Sequence, residues 1–152
     1  PSIAPFEAFK TKDSYIIIAA GNDKLFTKLC DVLKIPETAN DERFNSNSLR
    51  CENMDHLKEI FEKQLSSKST DEWVKEMEEL KIPCGPIFNI KQAVENPQIQ
   101  ERNMIVKSYH KIIGEFKSAG NPIKMSTYKD ENTRGNIPDL DEHREKIIKE
   151  FS

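Results

Sequence analysis

Glycine is scarce, with five in 152 residues, and none falls in a G-x-x-x-x-G-K-[ST] loop that would cradle a phosphate. Cysteine is scarce as well. Cys30, Cys51 and Cys84 are odd in number, far apart and in no C-x-x-C pair, which argues against a disulfide scaffold and for a reducing compartment. His56, His110 and His143 are equally scattered, so no metal-ligand spacing is present. The chain has neither a G-x-S-x-G elbow nor an H-E-x-x-H helix. Its longest apolar block, Ile16 to Ala20, is strand-sized and far short of the roughly 20 residues that cross a bilayer. Basic excess is lacking too: 23 Lys and Arg against 26 Asp and Glu leave a formal charge of −3, which speaks against a nucleic-acid partner. The first residues are Pro-Ser-Ile, without Met and without a signal-peptide pattern, which suggests a piece cut from a longer protein.

What is present is a globular but polar composition, 36% hydrophobic and 32% charged. The length allows one domain, or one domain with a tail. Residues 1–13 read as an entry segment. The β-branched run Ser14 to Ala20 predicts a buried strand, turned by Gly21-Asn22-Asp23 into a helix with Leu25, Phe26, Leu29, Val32 and Leu33 on one face. Pro36 ends that helix, and residues 37–48 are polar with Phe44 as an anchor. A helix from near Asn53 buries Leu57, Ile60, Phe61 and Leu65. Another, capped by Thr70, buries Trp73, Val74, Met77 and Leu80. Pro83-Cys84-Gly85-Pro86 reads as a stiff connector, followed by a short extended piece to Ile90 and a brief helix stopped at Asn96-Pro97. Strands are expected over Met104–His110, Ile112–Phe116 and Ile123–Tyr128, an irregular stretch over 129–139, and a last helix over Asp141–Phe151. The fold class is α+β, several helices with a small, mainly antiparallel sheet.

Local chemistry singles out no catalytic residue and no metal ligand. Glu78-Glu79 and Asp130-Glu131 read as solvated surface, Trp73 as core, His143 as surface, and Cys84 as a small hydrophobe, with no His beside it in the sequence. The Gly21-Asn22-Asp23 turn allows two readings: an ordinary turn and cap, or a helix N-terminus offering N–H groups to an oxygen of a ligand.

Several strings, taken in order, resemble the small domain of class III CoA-transferases. APFEAFKTKDSYIIIAAGNDKLF at 4–26 resembles its entry strand, turn and helix. DERF with Asn47 and Arg50 resembles a D-x-R-F…N…R element. Trp73 fits its Thr-x-x-Glu/Asp-Trp helix. IPCGPIFNIKQAVENPQIQERNM at 82–104 resembles the strongest signature of that domain. Gly120-Asn121-Pro122 with Lys124-Met125-Ser126, and Pro138 to Ile147, resemble its closing elements. Three positions depart from the pattern. Ser14 and Asp141 stand where glycine is common, and Arg144 replaces a threonine.

The resemblance implies a parent enzyme that passes CoA between short carboxylic acids, dicarboxylates among them, using a nucleophilic aspartate in a large domain upstream of Pro1. Acyl-CoA and the acid are then substrates, and no further cofactor is implied. For this chain it implies a wall of the acyl pocket, with Phe6, Gly21 and Asn22 as substrate-binding residues and Asp23 as the helix cap. It also implies a homodimer, an intracellular setting in cytoplasm or mitochondrion, no nucleic acid or membrane partner, and no turnover by the isolated chain. Residues 1–128 would form the small domain, and 129–152 a linker and helix docking on the large one. Two rivals stand beside this reading: a portion of an α-methylacyl-CoA racemase, and a non-catalytic interaction module.

Overall fold

The computed structural model describes residues 2–152. They fall into two compact units, one ending at Ile87 and one running from Phe88 to Ser152. The boundary expected at 128/129 lies inside the second.

The first unit opens with an antiparallel pair, β1 (Phe6–Lys10) and β2 (Tyr15–Ala19), with Phe6 opposite Ala19 and Lys10 opposite Tyr15. β1 falls in the stretch expected to be a plain entry segment. Phe9 is its one fully buried side chain, too little of a pattern to stand out among Pro and Lys. Ile16 and Ile18 of β2 point into the core, whereas Tyr15 and Ile17 lie outward. The turn between the strands is closed by Thr11, whose Oγ1 accepts the Ser14 N–H at 3.1 Å. Ser14 is not among the residues with positive φ, which is why this turn tolerates a side chain where glycine is common.

Helix α1 (Asp23–Val32) buries Phe26, Leu29 and Cys30. Pro36 does not end it. The chain turns at Lys34, with φ +60, and Pro36 opens a short α2 (Pro36–Ala39), as suits a residue without an N–H at a first helical position. A further short helix, α3 (Asn47–Glu52), runs from the end of the polar stretch 37–48 to just before the helix expected near Asn53, where no element was expected, and is capped by the Ser46 side chain. The expected long helix is α4 (Met54–Leu65), burying Leu57, Phe61 and Leu65.

The cap of α5 (Thr70–Glu79) is Ser69 rather than Thr70. Ser69 and Glu72 form a reciprocal capping box. Thr70 is instead engaged by the hairpin turn: Asp13 accepts its N–H at 2.9 Å and its hydroxyl at 3.0 Å, and those bonds hold the Asp13 carboxyl below its ordinary pKa. Trp73 is buried, and its Nε1 donates to the Leu65 carbonyl at 2.8 Å. Leu80, expected on the buried face, is about half exposed because α5 has already ended. The Pro83–Pro86 segment is more than a connector, since β3 (Cys84–Pro86) pairs antiparallel with β2 and completes a three-stranded sheet of order β1-β2-β3. One core joins the inner face of this sheet to α1, α4 and α5, with Phe61 packed between Phe9 and Phe26.

The second unit begins with α6 (Ile90–Glu95) and α7 (Pro97–Glu101). The extended piece expected up to Ile90 is absent, and Asn96-Pro97 starts a helix as well as stopping one, because Asn96 caps α7 and Pro97 takes its first position. Strands β4 (Ile105–His110) and β5 (Gly114–Ala119) pair antiparallel. β5 starts two residues later than expected, after a turn in which Gly114 has φ +78, leaving Ile112 and Ile113 outside the ladder and exposed. Gly120 follows β5 where a Cβ would stand 2.1 Å from the Asn103 carbonyl oxygen, so the chain passes there only without a side chain. The third strand is not Ile123–Tyr128 but β6 (Thr133–Asn136), in the stretch expected to be irregular; it lies parallel to β4. Its sequence is polar, so no hydrophobic pattern marks it. The last helix is α8 (Arg144–Phe151). Asp141 precedes it at φ +69, a left-handed conformation that explains why glycine is common at this point and that aspartate tolerates. Val106 and Ser108 are the two buried residues among positions 88–152. With two three-stranded sheets, mostly antiparallel, and eight helices, the described residues have the α+β architecture expected.

Asp130 organises the loop before β6. Its carboxylate meets Lys124 and Arg134, and the two cations lower its pKa from 3.8 to about 2. A carboxyl whose folded pKa lies below its unfolded value adds stability above about pH 4, and that contribution is lost as pH falls toward 2. An NMR titration should therefore place the Asp130 midpoint near 2, and Lys124→Met with Arg134→Met should return it to the ordinary range near 3.8. A midpoint unmoved by the double substitution would show that the cations are not the cause.

Candidate functional site

The strand-to-turn-to-helix passage from Ala19 to Leu25 forms one wall of a depression of about 450 Å³. Ile3, Phe6, Ala19, Gly21, Asn22, Leu25 and Asn47 line it. All three residues singled out for substrate binding are therefore brought together: Phe6 on β1, 61% exposed, and Gly21 and Asn22 on the opposite side at the entry to α1. The two sides are joined by the β1–β2 ladder, where Phe6 pairs with Ala19 and the Ala20 N–H donates to the Pro5 carbonyl at 3.0 Å, and they also meet at Gly21. A Cβ on Gly21 would stand 1.9 Å from the Ile3 Cγ2, so the missing side chain is what lets Ile3 pack against this turn.

Asn22 is the N-cap of α1. Its backbone is extended (φ −88, ψ 155) and its Oδ1 accepts the Leu25 N–H at 2.9 Å. This corrects the expectation that Asp23 caps the helix. Asp23 instead turns its carboxylate to Arg50, whose Nη2 donates to it at 2.8 Å. The reason is that Arg50, 1% exposed, needs an anionic partner, and Asp23 is the carboxylate within its reach.

The Asn22 Nδ2 and the N–H groups of Asp23 and Lys24 have no acceptor among the described residues. They form a small field of donors at the positive end of a helix. The lining carries no Lys, Arg, Asp or Glu, and its remaining wall is hydrocarbon from Ile3, Phe6, Ala19 and Leu25. Such a site suits a group with an apolar stem and one oxygen-bearing end. It offers no nucleophile and no titrating acid or base of its own.

The cysteines do not supply one. Cys30 is buried, and burial with the nearby Asp31 pushes its thiol up to about 12. Burial likewise raises Cys84. Burial keeps both thiols protonated at neutral pH, as expected for Cys84 read as a small hydrophobe. Among the described residues no group of three His, Cys, Asp or Glu is placed to hold a metal, and no helix is long and apolar enough to cross a membrane.

Arg50 was legible only as one letter of a resemblance. Nothing in its own spacing indicated that it would be buried, because a polar stretch with one Arg reads as surface.

The chain belongs to CoA-transferase family III, whose model matches residues 1–144. It is similar to the acetyl-CoA:oxalate CoA-transferase of Acetobacter aceti, 40% identical over 152 residues, which is all of this chain and 38% of that protein. It is similar also to the succinyl-CoA:glutarate CoA-transferase of Homo sapiens, 32% identical over 98% of this chain and 34% of that protein. A CAIB/BAIF family protein from Brucella suis shares its fold with a TM-score of 0.79 and 32% identity, over 100% of this chain and 39% of that one. The chain thus spans little more than a third of the length of these relatives.

The capping geometry separates two kinds of substitution at one position. Asn22→Ala should lower stability by about 1 kcal/mol, the scale of a lost N-cap, whereas Asn22→Ser, which keeps an acceptor, should hold it within a few tenths. Chemical denaturation of both variants tests this. Equal losses in the two would show that the Asn22 cap bond contributes nothing.

Proposed function

We propose that this chain forms one wall of the acyl pocket of an enzyme that moves coenzyme A between short carboxylic acids, dicarboxylates among them. The observation that carries the reading is the joining of Phe6, Gly21 and Asn22 in one depression at the N-terminus of α1. The carbonyl or carboxylate oxygen of the acyl group meets the Asn22 Nδ2 and the first-turn N–H groups, and its hydrocarbon lies against Phe6, Ile3 and Leu25. Two relatives carry oxalate and glutarate in their names, and both are dicarboxylates.

The chemistry implied is covalent catalysis by a carboxylate, which attacks the acyl-CoA thioester to give a mixed anhydride and CoA thiolate. The thiolate then attacks the enzyme's own carbonyl and releases the first acid. The resulting enzyme–CoA thioester passes CoA to the second acid by the same steps in reverse, which frees the carboxylate. No carboxylate lines the depression. The lowered carboxyls Asp13, Asp41, Glu72 and Asp130 are each engaged by hydrogen bonds that fix local structure. The reading therefore assigns the nucleophile to a part of the full-length protein beyond these 152 residues. The large apolar side chains left open are consistent with that. Ile112, Ile113, Leu140 and Phe151 are each more than two-thirds exposed in a unit with two buried residues, and they await cover by the rest of the protein or by a second subunit.

Turnover separates the alternatives. The full-length protein should transfer CoA from a short acyl-CoA to a carboxylic acid, and the 152-residue chain alone should not. In the full-length protein, Asn22→Ser should raise KM for the acid several-fold while the melting temperature stays in place. Transfer by the isolated chain, with an acyl adduct on one of its own carboxylates, would overturn the reading. Exchange of an α-proton without transfer of CoA would identify a racemase in its place.

A further inference from the structure

We propose that Asn47 and Arg50 are positioning residues that brace the two walls of the depression against each other, and so set the width open to the acid; this rests on the reading of the depression as the acyl pocket.

The two residues stand three apart on the short helix α3 and therefore share a face. Both reach the first wall. The Asn47 Oδ1 accepts the Ala4 N–H at 3.0 Å, and its Nδ2 donates to the Ser2 carbonyl at 2.9 Å. The Arg50 Nε donates to the Ala4 carbonyl at 2.9 Å. Both backbone polar groups of Ala4 are thus held by α3, between Ile3 and Phe6, whose side chains face the depression.

Arg50 also reaches the second wall. Its Nη2 donates to the Gly21 carbonyl at 3.1 Å and to the Asp23 carboxylate at 2.8 Å, on either side of Asn22. Its Nη1 donates to the Phe44 carbonyl at 3.1 Å, and the ring of Phe26 lies under the guanidinium at 4.5 Å. All three nitrogens donate, making four hydrogen bonds from five N–H groups, and the side chain is 1% exposed, so it is held in one place.

The bridge does more than hold a core together. A buried ion pair is weak support for stability by itself, since a well-packed apolar residue of similar volume often serves as well. The planar fork contributes position: it ties the carbonyl before Asn22 and the carboxylate after it to the backbone of the opposite wall. The same pairing compensates the charge of Asp23, so an acid approaching the Asn22 amide does not meet an unpaired carboxylate on the next residue. A lysine keeps the charge but not the fork, and reaches one of these acceptors well rather than all of them.

The test uses the full-length protein with Arg50→Lys, Arg50→Met and Asn47→Ala, and measures kcat and KM for the acid, KM for the acyl-CoA, and the melting temperature. A brace predicts that Arg50→Lys raises KM for the acid about tenfold, with kcat per folded molecule within about twofold. Asn47→Ala should move the same constant in the same direction by a smaller factor, and the preference among acids of increasing length should broaden in both. A role in folding alone predicts a lower melting temperature and less active enzyme at an unchanged KM for the acid, and that result overturns the proposal. If the Arg50 variants do not fold, Asn47→Ala decides, because it leaves the guanidinium in place: an unmoved acid KM overturns the brace. CoA transfer by the wild type with unmoved acid KM in the variants defeats this proposal alone. Absence of transfer by the wild type defeats the reading of the function, and this proposal with it.

Discussion

A guanidinium taken out of water must find acceptors for its N–H groups and a partner for its charge, or its burial costs several kcal/mol. In this chain that demand is met by segments far apart in sequence: the backbone at Ala4, the turn at Gly21 and Asp23, and the carbonyl of Phe44. Each supplies an oxygen that Arg50 needs, and each is held in place by supplying it. The approach of the chain before β1, the entry to α1 and the polar stretch before α3 are therefore one construction. The depression lined by Phe6 and Asn22 is the space left between parts so constrained. A pocket built this way is rigid before any ligand arrives, which is what a wall contributing geometry rather than chemistry needs.

The elements with strong hydrophobic periodicity could be read directly. The run at Ile16–Ile18, the stripe of α1, the face of α4 and the placement of Trp73 all follow from which residues a 2- or 3.6-residue period turns inward. That Phe6, Gly21 and Asn22 belong together in one depression was reachable through resemblance, since composition and spacing left an ordinary turn as good an account. What escaped was structure made by polar contacts. α3 is six residues long with a buried Arg and little apolar surface. β6 is polar and earns its place by pairing with β4. The exchange of roles between Asn22 and Asp23, and between Ser69 and Thr70, is set by partners 27 and 57 residues away, and no local rule sees them.

The two units differ in how they are stabilised. The first has a continuous core of aromatic and aliphatic side chains. The second has ladders, caps and ion pairs around Asp130 but almost nothing fully buried, and Ile90, Ile112, Ile113, Ile123 and Phe151 stand open. Local hydrogen bonding sets its shape, and apolar burial contributes little to it. Relatives about two and a half to three times as long as this chain are the natural context for such a unit.

The central claim is that the acid is held at the N-terminus of α1. The most direct measurement is a crystal structure of the full-length protein with a short dicarboxylate bound. The account predicts a carboxylate oxygen within hydrogen-bond distance of the Asn22 Nδ2, with the acid's carbon chain against Phe6. An acid bound elsewhere, with the Asn22 amide facing solvent and the depression empty, would contradict it.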